Sequence, residues 1–468
     1  MAEVFDVVII GGGPGGYAAA LYGANAGLNI AVVEKEKVGG TCLHRGCIPA
    51  KEFLETATVF RTVAGAKEFG VIAEQPQVDF ATSQTRNQKV VGQIFKGLEG
   101  LMKKRKITIV HGTGTLHAKK TVKVDDGSEL KAKHVILASG SAPTTIPGFE
   151  IDGQLVMSSD EVLALDKLPA SVAIVGGGVI GCEFASMMTD LGVQVTILEY
   201  LPQIIPGNDA DVAAALQKAL KRRGVDIHTG VKVEGHQPNG SGTTVKFGEG
   251  EQVTVDAVVV ATGRRPLSET LGLDGTKVEL DERKFVRVDP FMRTGEPDVY
   301  AVGDVVSLEG VKVHPQLAHA GYAEGMLAIR GILGEDAVPV DYGKVPLCIY
   351  THPEVASAGM TEQQAKDAGI EVVTSKFAFN HGGRALIIGD ADGFVKLVAE
   401  KGEDGKAGRL LGVHMIGPWV TEQLGQGYLA VNWEATVDET AAFIQPHPTL
   451  SETFGEAVLT LTGRGLHG

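Results

Sequence analysis

Val7-Val8-Ile9-Ile10-Gly11-Gly12-Gly13-Pro14-Gly15-Gly16 is an apolar run opening onto a Gly-x-Gly-x-x-Gly turn. Val172-Ala173-Ile174-Val175-Gly176-Gly177-Gly178-Val179-Ile180-Gly181 repeats it, with Gly176 standing 165 positions after Gly11. The offset holds downstream, where Gly27 answers Gly192 and Glu34 answers Glu199. Each copy reads strand, glycine turn, helix, glycine stop, strand, acid. The first glycine makes the tight turn, the second lets the backbone approach a pyrophosphate, and the third lets helix and strand pack closely. Phosphates then face a helix N-terminus, where free N–H groups and the dipole favour anions. One such motif is weak. Two in register, each with its strand, helix and acid, predict an α/β fold built on two Rossmann-like dinucleotide-binding units. The candidate contacts are Gly11, Gly13 and Gly16 in the first unit and Gly176, Gly178 and Gly181 in the second.

Glu34 and Glu199 are placed to accept hydrogen bonds from a ribose diol. The second acid also discriminates between cofactors. A 2′-phosphate would be repelled by Glu199 and would want arginines nearby, yet no basic residue follows before Lys218. NAD is expected there rather than NADP; the alternative is that Glu199 is a solvated strand end.

Val135-Ile136-Leu137-Ala138-Ser139-Gly140 and Val258-Val259-Val260-Ala261-Thr262-Gly263 are strand ends in corresponding halves. They bring the chain back past each nucleotide. Residues 85–106 read as a helix with a solvated Lys/Arg face, and Val299-Tyr300-Ala301-Val302-Gly303-Asp304 is a further strand ending in glycine and acid. Pro169 precedes the second glycine-motif strand, so a boundary near residue 150 is expected. From Pro346 the composition shifts to mixed strands and helices without a nucleotide signature. The expected division is 1–149, 150–275, 276–345 and 346–468.

A second signal lies just past the first unit, in Gly39-Gly40-Thr41-Cys42-Leu43-His44-Arg45-Gly46-Cys47-Ile48-Pro49-Ala50-Lys51. Two of only four cysteines, Cys42 and Cys47, are five positions apart. A regular helix would separate their Cα atoms by roughly 7.5 Å along its axis, beyond disulfide range. The backbone is therefore expected to leave the helix at Cys42, with Gly39, Gly40 and Gly46 giving the freedom. A bridge in such a loop is reducible, and reducible disulfides are usually catalytic. The alternatives are a structural disulfide or two buried thiols. Cys182 and Cys348 have no close partner in sequence and are expected to be core thiols.

With 468 residues the chain is too long for one core, and about three or four domains are expected. The 62 glycines suit repeated tight turns against nucleotides. A net charge of -14 argues against nucleic acid and anionic membranes as partners. No apolar stretch approaches the ~18 residues that span a bilayer. Met1-Ala2-Glu3-Val4-Phe5-Asp6 runs into the first strand without a basic leader. The expected setting is cytoplasmic, where structural disulfides are rare; a mature organellar enzyme would read the same way.

Together these motifs resemble the FAD-dependent pyridine nucleotide–disulfide oxidoreductases over essentially the whole chain. The Gly-Gly-Thr-Cys…Gly-Cys-Ile-Pro-x-Lys run is similar to that family's redox motif. Thr294…Ala301-Val302-Gly303-Asp304 resembles its second flavin motif. Tyr350-Thr351-His352-Pro353-Glu354-Val355-Ala356-Ser357 resembles the opening of its dimerisation domain, and His447-Pro448-Thr449-Leu450-Ser451-Glu452 its acid–base motif. The resemblance implies FAD and NAD domains followed by a C-terminal α+β dimerisation domain. It places Cys42, Cys47, His447 and Glu452 in catalysis, His447 and Glu452 acting across a homodimer. Glu34, Gly40, Thr41, Lys51, Gly114, Ser139, Gly140, Asp304 and Ala318 would join the first glycine motif around FAD. Glu183, Glu199, Val233 and Gly263 would join the second around NAD, Glu183 also pairing with Lys51. No metal is implied.

Within the family the motifs lie nearest the members that oxidise dihydrolipoamide, which implies a lipoyl-bearing acyltransferase of 2-oxo acid dehydrogenase complexes as partner. The histidine has its own logic. Thiol exchange runs through thiolates, and a histidine oriented by a carboxylate can take the proton of an incoming dithiol. His44, Arg45 and Gln445 depart from the usual pattern, and Arg45 is expected to add positive charge near the disulfide. The rival reading is an NAD(P)H-dependent reductase of another small disulfide, with Glu199 against it. Mercuric reductase would want a cysteine pair in Leu461–Gly468, which has none. A soluble transhydrogenase would not need Cys42 and Cys47. A docking subunit with vestigial chemistry would not keep both cysteines, His447 and Glu452.

Overall fold

The computed structural model describes residues 4–467. Met1 to Glu3, on which the leader reading partly rests, and Gly468, the end of the cysteine-free tail, lie outside the described residues.

Val4–Ile10 is a central parallel strand whose Val7, Val8 and Ile9 are fully buried. A strand covered on both faces reads as an unbroken apolar run. Ile30–Glu34 and Glu129–Leu137 flank it in parallel, and Thr108–His111 extends the sheet beyond Ile30–Glu34. Val299–Ala301 returns from far along the chain to pair with Glu129–Leu137. The second glycine motif builds a five-stranded parallel sheet, ordered Asp226–Thr229, Gln194–Glu199, Ser171–Val175, Ala257–Val260, Val156–Met157. The third sheet is antiparallel, ordered Leu347–Ile349, Glu354–Gly359, Ala407–Gly417, Phe394–Lys401, Val372–Ala378.

The glycine reasoning has a direct steric counterpart. A Cβ on Gly16 would lie 2.0 Å from the Gly11 carbonyl oxygen, and one on Gly181 2.0 Å from that of Gly176. Gly11 and Gly176 have φ of +105° and +108°, where a side chain is strained.

The cores do not follow the chain in equal blocks. Phe149 is buried among Val156, Val175, Leu198 and Val258 of the second sheet. Residues of 276–345 such as Val286, Val305, Leu327 and Ile329 share the first hydrophobic core rather than building their own. The helix expected over 85–106 spans Phe80–Lys104, capped by Asp79, and buries Phe80, Gln84, Asn87 and Met102. Lys396 ties the third sheet to the second unit: only 6% exposed, its ammonium lies 3.0 Å from Asp209, 3.0 Å from Asp211 and 2.9 Å from Glu362. Among the described residues no helix is long and apolar enough to cross a membrane.

Candidate active site

The segment after Glu34 is not an open loop. Gly39, at φ +109°, caps a short helix, Gly40–Arg45, and a longer one, Cys47–Gly65, begins after Gly46. The break expected at Cys42 is thus corrected to Gly46. Cys42 sits inside the short helix, and Gly46 has left helical geometry (φ -145°, ψ -114°). A Cβ on Gly46 would meet the Thr41 carbonyl oxygen at 2.9 Å, so the chain reverses there at a place only glycine fits easily. Breaking one position before Cys47 brings the sulfurs together where a continuous helix would hold them apart.

Both cysteines are thiols here, and their side chains hydrogen-bond to each other. Cys47 is held down at about 7, first by the Cys42 hydrogen bond, against the opposing pull of burial; Lys51 and the helix N-terminus assist. Cys42 is pushed up by the same hydrogen bond and by burial. The pair divides the work: one sulfur carries the charge, the other keeps the proton. Lys51 lies one helical turn beyond Cys47. Its ammonium contacts both oxygens of Glu183 at 2.8 and 2.7 Å and lies over the Tyr350 ring, 4.8 Å from its centroid. The Tyr350 N–H donates to Glu183 Oε1 at 2.9 Å.

A cavity of about 310 Å³ joins these groups to the first glycine turn. Gly11, Gly13, Glu34, Gly40, Thr41, Cys42, Cys47, Lys51, Gly114, Ser139, Gly140, Asp304 and Ala318 all line it. Gly16 does not; its place is at the helix–strand contact. The cavity fits an elongated, anionic dinucleotide such as FAD. Glu34 is 8% exposed at one end, with Oε2 accepting from the Gly12 N–H at 2.7 Å and Oε1 from Glu36 at 2.9 Å. Gly11 and Gly13 open onto the middle. The buried Ser139 hydroxyl on the wall has no partner among the described residues. Asp304 accepts from the Ser141 hydroxyl at 2.6 Å, which accepts in turn from Arg264 Nε at 2.7 Å.

Of the second group, only Glu183 reaches this cavity. Glu199 repeats the Glu34 arrangement, accepting from Gly177 at 2.6 Å and Leu201 at 2.7 Å. A Cβ on Gly178 would meet nothing within 4 Å, so that turn is open to a ligand. Val233 is partly buried against the core that holds Phe149 and is strand-paired with Phe247, and Gly263 precedes the Arg264 just described.

His447 and Glu452 find each other, Nδ1 to Oε1 at 2.8 Å, with the Thr449 N–H donating to Oε2 at 2.8 Å. Neither lines the cavity of its own chain, and the His447 side chain is 79% exposed.

Two sequence expectations are refined. Cys348 is half-buried: it packs against the core of the third sheet as expected and also lines the cavity, unlike the fully buried Cys182. Arg45 stays on the cavity wall, but its charge is paired with Glu36 (2.6 Å) and Asp160 (3.4 Å). His44 bonds the Val38 carbonyl at 2.9 Å. Sequence reasoning missed Ser141, Arg264, Gln316 and Leu317 on the wall; Ser141 and Arg264 each directly follow a glycine singled out above.

Residues 5–325 match the pyridine nucleotide-disulphide oxidoreductase family, and residues 345–458 match that family's dimerisation domain. A dihydrolipoyl dehydrogenase of Bacillus subtilis is 42% identical, covering 100% of both chains. One from Mycobacterium bovis is 40% identical, covering 98% of each. Among solved structures, LpdA from Mycobacterium tuberculosis superposes with a TM-score of 0.90 at 26% identity, covering 98% of this chain and 100% of that one. RclA from Escherichia coli, a HOCl-induced flavoprotein disulfide reductase, gives 0.85 at 25% identity over 97% and 99%.

Proposed function

The chain belongs to the pyridine nucleotide-disulphide oxidoreductase family, and on that footing we propose that its Cys42–Cys47 pair oxidises dihydrolipoamide carried by a partner protein. It is an FAD-containing oxidoreductase that oxidises dihydrolipoamide with NAD. The observation that carries the assignment of residues is the cavity wall itself. It holds a hydrogen-bonded dithiol, a lysine one turn away and a glycine cradle in one continuous surface.

In the disulfide form, His447 of the partner subunit takes a proton from the incoming dithiol, Glu452 orienting its ring. The substrate thiolate attacks Cys42 Sγ. The Cys42–Cys47 bond breaks and Cys47 leaves as the thiolate, which its position favours. The second substrate thiol then attacks the sulfur joined to Cys42, closing the dithiolane and returning Cys42 as a thiol. FAD bound there would supply two-electron chemistry between the dithiol and NAD, with Cys42 and Cys47 closing again to the disulfide. Lys51, held by Glu183, offers a cation to negative charge arising on that side of the cavity. Gly11, Gly13, Glu34, Gly40, Thr41, Gly114, Ser139, Gly140, Asp304 and Ala318 would hold FAD. Gly176, Gly178, Gly181, Glu199, Val233 and Gly263 would hold NAD. The active unit is a homodimer, which supplies His447 across the interface. The lipoyl carrier is the acyltransferase of a 2-oxo acid dehydrogenase complex.

The test mixes the purified holoenzyme anaerobically with dihydrolipoamide, then adds NAD or NADP, following the visible spectrum. A prompt long-wavelength band from a thiolate against oxidised flavin, discharged by NAD with NADH appearing, is expected. No band with dihydrolipoamide, but turnover of another disulfide with NADPH, would overturn both substrate and cofactor.

A further inference from the structure

The last helix carries two histidine–carboxylate pairs, of which the mechanism uses one. Glu452–Leu461 presents Glu452 and Glu456 one turn apart, so the two carboxylates share a face. Glu452 holds His447 through Nδ1 at 2.8 Å. Glu456 holds His467 in the same way, Nδ1 to Oε1 at 2.8 Å. The chain turns back after Gly463, at φ +73°, and donates the N–H groups of Leu466 and His467 to Glu456 Oε2 at 3.1 and 3.3 Å. The Glu456 side chain is only 10% exposed while the His467 ring is 69% exposed. A buried carboxylate thus fixes an imidazole, exposed in the single chain, one turn from the pair that handles the substrate proton.

We propose that His467 and Glu456 form a second proton-binding pair that tunes the first, the charge on His467 setting how readily His447 takes and returns its proton. This rests on the acid–base role given to His447 above and extends it; His467 is a positioning residue, since it acts through His447. An imidazolium at His467 disfavours a second positive charge at His447. A neutral His467 leaves the Glu456 carboxylate uncompensated and favours that charge. The field already registers at Glu452: burial works to raise its carboxyl, but the Thr449 N–H and His447 outweigh it, with His467 acting on the same side.

Of the other charges around this helix, Asp438 and Arg464 are exposed, Glu400 pairs with Arg409 and Lys401 with Glu371. Glu439, near Asp438 on the preceding helix, caps Thr436. Lys376 and Lys396 of the adjoining strands pair with Asp211, and Lys396 also with Asp209 and Glu362.

The test compares pH profiles of dihydrolipoamide oxidation by wild-type, His467→Gln and His467→Arg holoenzymes. Arginine fixes the positive charge and glutamine removes it. The acid limb of His467→Arg is expected at lower pH than that of His467→Gln by about half a pH unit, the charge acting through partly solvated space. Plateau rates should agree within about twofold, since no reacting group is lost. FAD content and thermal unfolding of each variant report folding, and His467→Asn replaces the glutamine variant should that one shed FAD. Superimposed acid limbs in folded variants would reduce the second pair to a tail anchor and overturn the proposal. A wild-type enzyme that dihydrolipoamide does not reduce would instead sink the reading of His447 itself.

Discussion

Gly12 and Gly177 stand at the same turn of the two dinucleotide-binding halves. Each donates its N–H to the acid ending the next strand, Glu34 at 2.7 Å and Glu199 at 2.6 Å. Each also accepts at its carbonyl from the segment beyond that acid, from Gly39 at 2.7 Å and Ile205 at 2.7 Å. The donors differ: Gly39 has φ +109°, whereas Ile205 is held at φ +41°, a conformation costing a branched side chain ~1–2 kcal/mol. Glycine is needed in the first half because the chain folds back at once. A Cβ on Gly39 would strike Leu43 of the dithiol helix at 2.4 Å. In the second half, Asp209 caps an ordinary amphipathic helix, Ala210–Arg222, and the sulfur at the turn is the fully buried Cys182, whose thiol donates to the Gly177 carbonyl at 3.2 Å. One turn serves both halves; the segment hung from it decides which half does redox chemistry.

The largest break in that comparison comes from removing a sulfur. Cys42→Ser or Cys47→Ser reduces the first half to what the second already is, a dinucleotide cradle. Dihydrolipoamide oxidation is expected to fall by on the order of 10⁴ or more, as when other nucleophiles are removed, while bound FAD and the far-ultraviolet spectrum persist. Loss of FAD along with activity would mean that the thiols hold the cradle together rather than merely lining it.

Matched substitutions at the acids sharpen the comparison. In Glu34→Gln and Glu199→Gln an amide can turn only one acceptor toward two backbone N–H groups. A charge-assisted hydrogen bond is worth about 1.5–3 kcal/mol, so each half should lose its own dinucleotide by roughly tenfold to a hundredfold. Titration of apoprotein with FAD should register the first change, and the KM for NAD at near-constant kcat the second. An effect of Glu34→Gln confined to NAD would break the assignment of halves.

How much of this was legible in the sequence divides along similar lines. The repeat was readable because glycine contacts of this kind are local: Gly16 against Gly11 and Gly181 against Gly176 depend on four intervening residues and a helix start. The need to break the helix between Cys42 and Cys47 was readable from sulfur geometry. Its place was not, because the contact that selects Gly46, with the Thr41 carbonyl, exists only once the short helix has formed. Cys348 escaped for a longer-range reason. Its strand has an ordinary apolar pattern, and only the docking of the third sheet sets it beside Lys51 and Glu183. Phe149 likewise crosses an expected boundary because an apolar residue at a junction carries no sign of which core receives it.

A smaller effect concerns the charge on the first half. Cys47 is depressed to about 7, so in the reduced protein its thiolate forms as pH rises through that value. The associated stability is fully present above the ordinary thiol value of about 9 and is lost as pH falls from there through about 7. Lys51→Met removes one of the groups holding the value down. The midpoint of thiolate absorbance should then move up, by about half to one pH unit for a cation at this range. An unmoved midpoint would leave the Cys42 hydrogen bond and the helix terminus as the whole cause.

The smallest effect is expected at Arg45, although it sits only three residues from Cys42 and two from Cys47. Its guanidinium is turned toward Glu36 and Asp160, and its side chain is 39% exposed. Exposed ion pairs contribute about 0–1 kcal/mol, so Arg45→Gln should change stability by no more than that. The kcat/KM for dihydrolipoamide should stay within about twofold, because the charge removed was already balanced by Glu36 and Asp160. Asp160 should respond more than the thiols do. Burial already raises its carboxyl, with Arg45 the leading opposing influence, and loss of that arginine would move its titration further up. A tenfold change in kcat/KM with Asp160 unaffected would mean that Arg45 swings to the sulfurs during turnover. The difference between the halves would then include a charge as well as a dithiol.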